Sequence, residues 1–201
     1  MLTADIKTAL RQAQDAINAA IVGKEHCVRL ALTALIAGGH LLLEDLPGLG
    51  KTTFAQVLAT STGLQCRRIQ FTSDILPADI LGVSVYAQQQ ETFRFHPGPI
   101  FSQVVLADEI NRAPPRSQSS LLEAMAEQHV TLDGQRYPLP HPFFVIATQN
   151  AVDLAGTYPL PDSQLDRFMF RIQLGYPAEA TERQMLLAPR SHSTLEHIPP
   201  H

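Results

Sequence analysis

The chain has 201 residues, 45% of them hydrophobic, which is enough for one domain with a full hydrophobic core. Its 15 basic and 19 acidic side chains give a net charge of -4, which argues against a broad nucleic-acid-binding surface. No apolar run reaches the roughly 20 residues that a membrane-spanning helix needs, and the first residues lack the pattern of a signal peptide. We therefore expect a cytoplasmic protein without a membrane span and with no nucleic-acid partner. Cys27 and Cys66 have no metal-binding spacing and are expected to be buried apolar residues.

The first elements in the chain are two predicted amphipathic helices. Apolar residues spaced three and four apart predict helices over 3–20 and 25–37, and the second is expected to end at Gly38-Gly39. A short apolar strand over 40–44 follows. A third helix is predicted over 52–60, directly after a glycine-containing loop.

This loop is part of the segment 44–53, which reads EDLPGLGKTT. A loop that opens a helix presents backbone N–H groups and the positive end of the helix dipole to phosphate oxygens. In that role Lys51 would reach the outer phosphates, and the Thr52 hydroxyl would bind magnesium. Asp45 stands where the phosphate-loop pattern has its first glycine, so the match is incomplete, and an ordinary strand-to-helix turn is the alternative. The predicted nucleotide-binding residues of the loop are Pro47, Gly48, Leu49, Gly50, Lys51, Thr52 and Thr53.

The rest of the chain alternates between strands and helices. Core strands are predicted over 66–71, 104–107, 143–147 and 168–174, and a helix over 117–127. Residues 83–95 alternate as a hairpin, and Asp-Gly between alternating segments predicts a second hairpin over 130–137. These patterns predict a three-layer α/β domain over 1–176, with a mostly parallel five-stranded sheet and two β-hairpin insertions. Residues 177–201 are expected to form a helix over 178–187 and a loose tail.

Polar residues follow the predicted core strands at the edge where the ligands of such sheets bind. Asp108 suits the surroundings of a magnesium ion, and Glu109 suits the general base that activates water. Asn150 could hold that water and the terminal phosphate, and Arg167 could supply positive charge to a neighbouring subunit's site. The alternatives are a solvated acidic pair, a turn-forming asparagine and an arginine in a surface ion pair.

Five stretches of the sequence together carry a family resemblance. They are LLEDLPGLGKT at 42–52, ADEINRAPP at 107–115, SQSSLLEAM at 117–125, ATQN at 147–150 and LDRF at 165–168. Between about residue 21 and residue 176, the chain resembles the MoxR family of AAA+ ATPases. The family often has an acidic residue where Asp45 stands, so the resemblance accommodates the incomplete loop.

The resemblance implies a P-loop NTPase fold, ATP and Mg2+ as ligands, and a ring oligomer, expected to be a hexamer. It implies that Asn150 is the sensor 1 residue, that Arg167 is the arginine finger, and that Val22 and Gly23 lie near the adenine. The hairpins 83–95 and 130–139 would be the helix 2 insert and the insertion before sensor 1. The implied client is a protein with a von Willebrand factor A domain, or a metalloenzyme that needs assembly or cofactor insertion.

The resemblance also implies a C-terminal helical lid with a sensor 2 arginine. The chain ends soon after this lid would begin, and Arg183 and Arg190 come too early for that role, so we expect a truncated chain that contains only the start of the lid. Lid motion completes such sites. A nucleotide-dependent binding module with little turnover is therefore one alternative function, and the motor subunit of a metal chelatase is another.

Overall fold

The computed structural model describes residues 4–44, 48–88, 91–150 and 156–176. The strands are β1 (Leu41–Glu44), β2 (Cys66–Gln70), β3 (Gly82–Ala87), β4 (Thr92–Pro97), β5 (Val104–Asp108), β6 (His129–Leu132), β7 (Gln135–Pro138), β8 (Phe144–Gln149) and β9 (Phe170–Ile172). The helices are α1 (Ala4–Ala20), α2 (Glu25–Ile36), α3 (Lys51–Ser61), α4 (Pro77–Leu81), α5 (Pro115–Glu127) and α6 (Asp162–Leu165). A short 3-10 turn covers Ile110–Arg112.

The centre of the fold is a five-stranded sheet with the order β2-β5-β8-β1-β9. Every neighbouring pair in it is parallel. The strands β1 and β5 are buried along their whole length, as expected for continuous apolar runs in a parallel sheet. Because all five strands run in the same direction, their carboxyl ends meet at one edge. Polar residues lie there, including Glu44, Asp108 and Gln149.

Helices cover both faces of this sheet, which confirms the predicted three-layer α/β fold. On one face Val105, Ala107 and Val145 pack against residues of α4 and α5. On the other face Leu41, Leu43 and Leu106 pack against residues of α1, α2 and α3. The alternation of side chains along each strand divides the core into these two layers.

Two hairpins project from the sheet as separate two-stranded units, β3-β4 and β6-β7. In the second, Asp133 and Gly134 have φ angles of 50° and 77°. Positive φ at both turn residues is the geometry that the Asp-Gly signal predicts. Phe95 of β4 stacks on Tyr137 of β7 at a ring distance of 4.0 Å, so the two insertions contact each other.

The short helices α4 and α6 were not predicted, because five and four residues are too few to show helical periodicity. The last core strand is also shorter than predicted. Pro47, the predicted helix over 178–187 and the tail lie outside the described residues. Within the described ranges, no helix has the length and apolar character that a bilayer span requires.

His40 is a buried polar residue immediately before β1. Its Nδ1 accepts a hydrogen bond of 3.1 Å from the backbone N–H of Val145. Burial lowers the pKa of His40 from 6.5 to about 4, and a hydrogen bond with the backbone of Met125 opposes that shift. The folded protein therefore holds a neutral imidazole at this position.

This imidazole should make stability depend on pH. Below pH 6.5 the unfolded chain binds a proton at His40 that the folded chain resists until pH falls to about 4. Stability should therefore be complete above this window and decrease as pH falls through it, by about 2 kcal/mol at pH 5. In His40→Gln, which keeps a donor and an acceptor without titrating, urea unfolding between pH 7.5 and 5 should show a flatter pH slope by roughly that amount. His26→Gln on the exposed face of α2 controls for the loss of one imidazole, and a wild-type slope in His40→Gln would contradict the assignment.

Candidate functional site

The loop between β1 and α3 forms a concave backbone surface. Gly48 and Gly50 have φ angles of 82° and 81°, in the left-handed region that favours glycine. A Cβ atom at either position would meet nothing within 4 Å, so both backbones border open space. Gly50 caps the N-terminus of α3, and Lys51 is the first residue of that helix. Such a helix start suits an anion such as phosphate.

A polar cavity of about 300 Å³ lies against this loop. Four segments that are distant in sequence contribute to it: the loop, α3, the end of β5 and the end of β8. The lining residues are Gly48, Gly50, Lys51, Thr52, Asp108, Glu109 and Asn150. Most of the side chains that the sequence assigns to phosphate, magnesium and water therefore converge on one place.

Asp108 is buried at the end of β5, where two neighbours hold its carboxylate. Its Oδ1 accepts a hydrogen bond of 2.6 Å from the Thr148 hydroxyl. Its Oδ2 accepts two from Arg68, at 3.0 Å from Nε and 2.6 Å from Nη2. The Thr148 oxygen in turn accepts a 2.8 Å hydrogen bond from the backbone N–H of Glu109. One buried hydroxyl therefore fixes both acidic residues relative to β8.

Glu109 ends the regular strand geometry, with a left-handed φ of 57° that is unusual for a residue with a side chain. Its Oε2 accepts hydrogen bonds from Gln70 Nε2 at 3.1 Å and from Arg112 Nη1 at 3.3 Å. The Arg112 side chain is 55% exposed, so that ion pair contributes little to stability. Glu109 is thus held at the border of the cavity by groups from β2 and the 3-10 turn.

A second cavity of about 300 Å³ also borders this loop. Its walls are mostly apolar and come from the α1–α2 turn, the loop, α3 and the segment after β9. The lining residues are Ala20, Ile21, Val22, Lys24, Gly48, Leu49, Gly50, Thr53, Phe54, Leu174 and Gly175. Gly48 and Gly50 also line the polar cavity, so the two spaces adjoin. An apolar space beside a polar one suits a heterocyclic base linked to phosphates.

Lys24 holds one wall of the apolar cavity in place. Its Nζ donates hydrogen bonds to the carbonyl oxygens of Gly175 at 3.1 Å and Tyr176 at 3.0 Å. Val22, which the family resemblance places near the adenine, lines this cavity. Gly23 does not line it, but its positive φ of 77° forms the turn that places Val22.

The donor set of the polar cavity fits a magnesium ion with a nucleotide. Magnesium prefers oxygen ligands. Thr52 and Asp108, which both carry side-chain oxygens, line the same cavity. Each carboxylate oxygen can accept two hydrogen bonds, so Asp108 Oδ1 keeps one position beside its bond from Thr148. Lys51 is only 8% exposed and lines the same cavity, where a phosphate would neutralise its charge.

Arg167 is not among the residues that line either cavity of its own chain. It lies after α6, and its Nη1 donates a hydrogen bond of 3.2 Å to the carbonyl oxygen of Leu122 in α5. Its predicted role at a neighbouring subunit's site stays a prediction.

The sequence reasoning missed a buried amide that supports the site from behind. Gln118 of α5 is 1% exposed. Its Nε2 donates to the carbonyl oxygens of Ile110, Ala113 and Tyr158 at 3.1, 3.1 and 2.8 Å. The turn after Glu109 is thereby tied to α5 and to the segment that leads to Arg167. Gln118 and Thr148 lie inside two of the stretches that carry the family resemblance. Their contacts, and those of Arg68, are visible only in the three-dimensional structure.

The fold and the site define a P-loop nucleotide-binding α/β domain. The family model of the ATPase family associated with various cellular activities (AAA) matches residues 40–170, a span that includes the loop, both acidic residues, Asn150 and Arg167.

Individual relatives narrow this class. The uncharacterized protein YeaC of Bacillus subtilis is 51% identical over 96% of this chain and 62% of its own length. Chaperone MoxR1 of Mycobacterium tuberculosis is 44% identical over 92% of this chain and 49% of its own length. A crystal structure from Cytophaga hutchinsonii, of a protein assigned as an ATPase, has a TM-score of 0.84 at 40% identity, over 96% of this chain and 59% of that one. The chain belongs to the MoxR family of AAA+ ATPases. It spans between 49% and 62% of the length of these two curated relatives.

Thr148→Val tests the hydroxyl that links the two acidic residues. The substitution keeps the shape but removes the hydroxyl partner of the part-buried Glu109 N–H and of the buried Asp108 Oδ1, so it should destabilise the fold by about 1 to 3 kcal/mol. Thr148→Ser keeps the hydroxyl, so its free energy of unfolding should decrease less than that of Thr148→Val. Urea unfolding measures both, and a Thr148→Val protein as stable as the wild type would contradict this role.

Proposed function

We propose that this protein binds ATP with magnesium, hydrolyses it, and uses the hydrolysis to remodel or mature client proteins. The observation that carries the proposal is the convergence of Lys51, Thr52, Asp108, Glu109 and Asn150 on one polar cavity beside an apolar one. Membership of an ATPase family supports the same reaction.

Binding would use the two cavities together. The adenine would occupy the apolar cavity, which Val22 and Leu174 help to line, and the phosphates would lie along the loop at 48–51. The backbone N–H groups and Lys51 stabilise the phosphate charge. Thr52 and Asp108 would hold the magnesium ion, which neutralises charge on the β- and γ-phosphates when it is bound.

Hydrolysis would depend on the residues at the ends of β5 and β8. Glu109 accepts a proton from the attacking water, and Asn150 orients that water against the terminal phosphate. Arg167 of an adjacent subunit adds positive charge as the transferred phosphoryl group develops negative charge. The position of Arg167 outside its own cavities favours this action between subunits. It therefore favours a ring, for which we expect six subunits.

The client is proposed from the family. One relative, 44% identical, is named a chaperone. The proposed clients are a protein with a von Willebrand factor A domain, or a metalloenzyme that needs assembly or cofactor insertion. The exposed aromatic residues Tyr86 and Phe93 on the first hairpin, at 51% and 73% exposure, give a surface that suits contact with another protein.

Glu109→Gln and Lys51→Ala test the two halves of the mechanism. Glu109→Gln should lower kcat by about 100-fold or more because the base is lost, and it should keep the wild-type Kd for ATP with magnesium.

Lys51→Ala should weaken ATP binding by at least about tenfold, because a charge-assisted contact is lost. Equilibrium titration and phosphate release measure these effects. Unchanged turnover in Glu109→Gln would contradict the role of Glu109, and unchanged ATP affinity in Lys51→Ala would contradict the role of Lys51. If the wild-type protein binds ATP but does not hydrolyse it, the result favours the nucleotide-dependent binding module.

Mixing two inactive variants tests the role of Arg167. A Glu109→Gln subunit keeps Arg167, and an Arg167→Ala subunit keeps Glu109. If Arg167 acts on its neighbour, mixed assemblies contain complete sites and should recover part of the wild-type turnover. If it acts within its own chain, no mixture contains a complete site, and turnover should stay at the level of the separate variants.

A further inference from the structure

Arg68 makes a contact that the proposed function does not use. It lies in β2, beside β5, where Gln70 is paired in register with Asp108. Both Nε and Nη2 of Arg68 donate to the same oxygen, Asp108 Oδ2, at 3.0 and 2.6 Å. Nη2 also donates to Gln70 Oε1, and Gln70 Nε2 donates to Glu109 Oε2. One guanidinium therefore contacts Asp108 directly and Glu109 through an amide.

The two bonds from Arg68 use both acceptor positions of Asp108 Oδ2. The carboxylate side chain is 10% exposed, whereas the Arg68 side chain is 50% exposed. A buried carboxylate beside a phosphate-binding cavity needs a positive partner, because it otherwise repels the triphosphate. In this structure Arg68 is that partner.

We propose that Arg68 is a built-in substitute for magnesium at Asp108, and that it sets how strongly nucleotide binding depends on the metal. The inference rests on the proposed nucleotide site. Without metal, the guanidinium neutralises Asp108 and allows ATP to bind. When magnesium is present, the ion and its waters compete with Arg68 for the Asp108 carboxylate. Part of the increase in ATP affinity that magnesium would give is therefore cancelled. Arg68 and magnesium are thus negatively coupled through Asp108.

Removal of Arg68 should therefore increase metal dependence. The quantity to measure is the Kd for a fluorescent ATP analogue in excess EDTA divided by its Kd in excess magnesium, with no hydrolysis required. In Arg68→Met, binding without metal should weaken because Asp108 loses its cationic partner. The ratio should rise by about 5-fold or more, because coupling between two sites usually changes affinity by about 5- to 150-fold.

Arg67→Met is the matched control. Arg67 is adjacent, exposed and of the same charge, but alternation along β2 places it on the opposite face of the sheet. The ratio of the two Kd values in Arg67→Met should equal that of the wild type. Arg68→Gln separates charge from hydrogen bonding and should behave like Arg68→Met. Arg68→Lys keeps the charge and should stay near the wild-type ratio. If Arg68→Met does not fold, comparison of Arg68→Gln with Arg68→Lys tests the role of the Arg68 charge.

The results distinguish failure of the role of Arg68 from failure of the proposed nucleotide site. A ratio that does not change in Arg68→Met and Arg68→Gln, with ATP still bound, would overturn the role of Arg68 and leave the nucleotide site intact. An equal rise in Arg67→Met would also overturn it, since the effect would then be one of net charge. If wild-type protein binds no ATP under either condition, the proposed function fails instead. In an Asp108→Asn background the effect of Arg68→Met should disappear, because no carboxylate charge is left to neutralise.

Discussion

The parallel pairing of β5 with β8, and of β8 with β1, is the constraint on which the rest of the site depends. Parallel strands place their carboxyl ends at one edge, so residues more than a hundred positions apart in sequence become neighbours. The Thr148 hydroxyl then joins Asp108 to the backbone of Glu109. Without this register, the loop before α3 would have no carboxylates across the polar cavity from it.

Buried carboxylates at this edge are stabilised in a common way. Glu44, 5% exposed, accepts hydrogen bonds from the neutral amide of Gln149 and from the guanidinium of Arg171. Asp108 accepts from the neutral hydroxyl of Thr148 and from the guanidinium of Arg68. In both pairs the arginine is half exposed or more, so only the carboxylate bears the main cost of desolvation. Each of these carboxylates thus lies at the edge of the sheet with its own cationic partner.

Helix α5 connects the site to the far side of the domain. Gln118 binds the carbonyl oxygens of the turn after Glu109, and one turn further along the helix the carbonyl of Leu122 accepts a hydrogen bond from Arg167. Both contacts belong to one rigid element that packs in the core through Leu121 and Met125. One helix therefore connects the turn after Glu109 with the side chain of Arg167.

Local patterns in the sequence determined the elements, the class of fold and most of the site. Periodicity indicated the helices, and continuous apolar runs indicated the buried strands. The glycine-containing loop indicated Lys51 and Thr52 as candidate site residues, and the strand ends indicated Asp108, Glu109 and Asn150. All of these signals depend on residues that are near neighbours in sequence. Only the tertiary structure decided the roles of Thr148, Gln118 and Arg68. Arg68 and Thr148 each lie 40 residues from Asp108, and contacts between separate strands leave no pattern in any short stretch of sequence. The burial of His40 also escaped the sequence, because it depends on what the rest of the chain places around that residue. The helices α4 and α6 escaped it because they are too short to show helical periodicity.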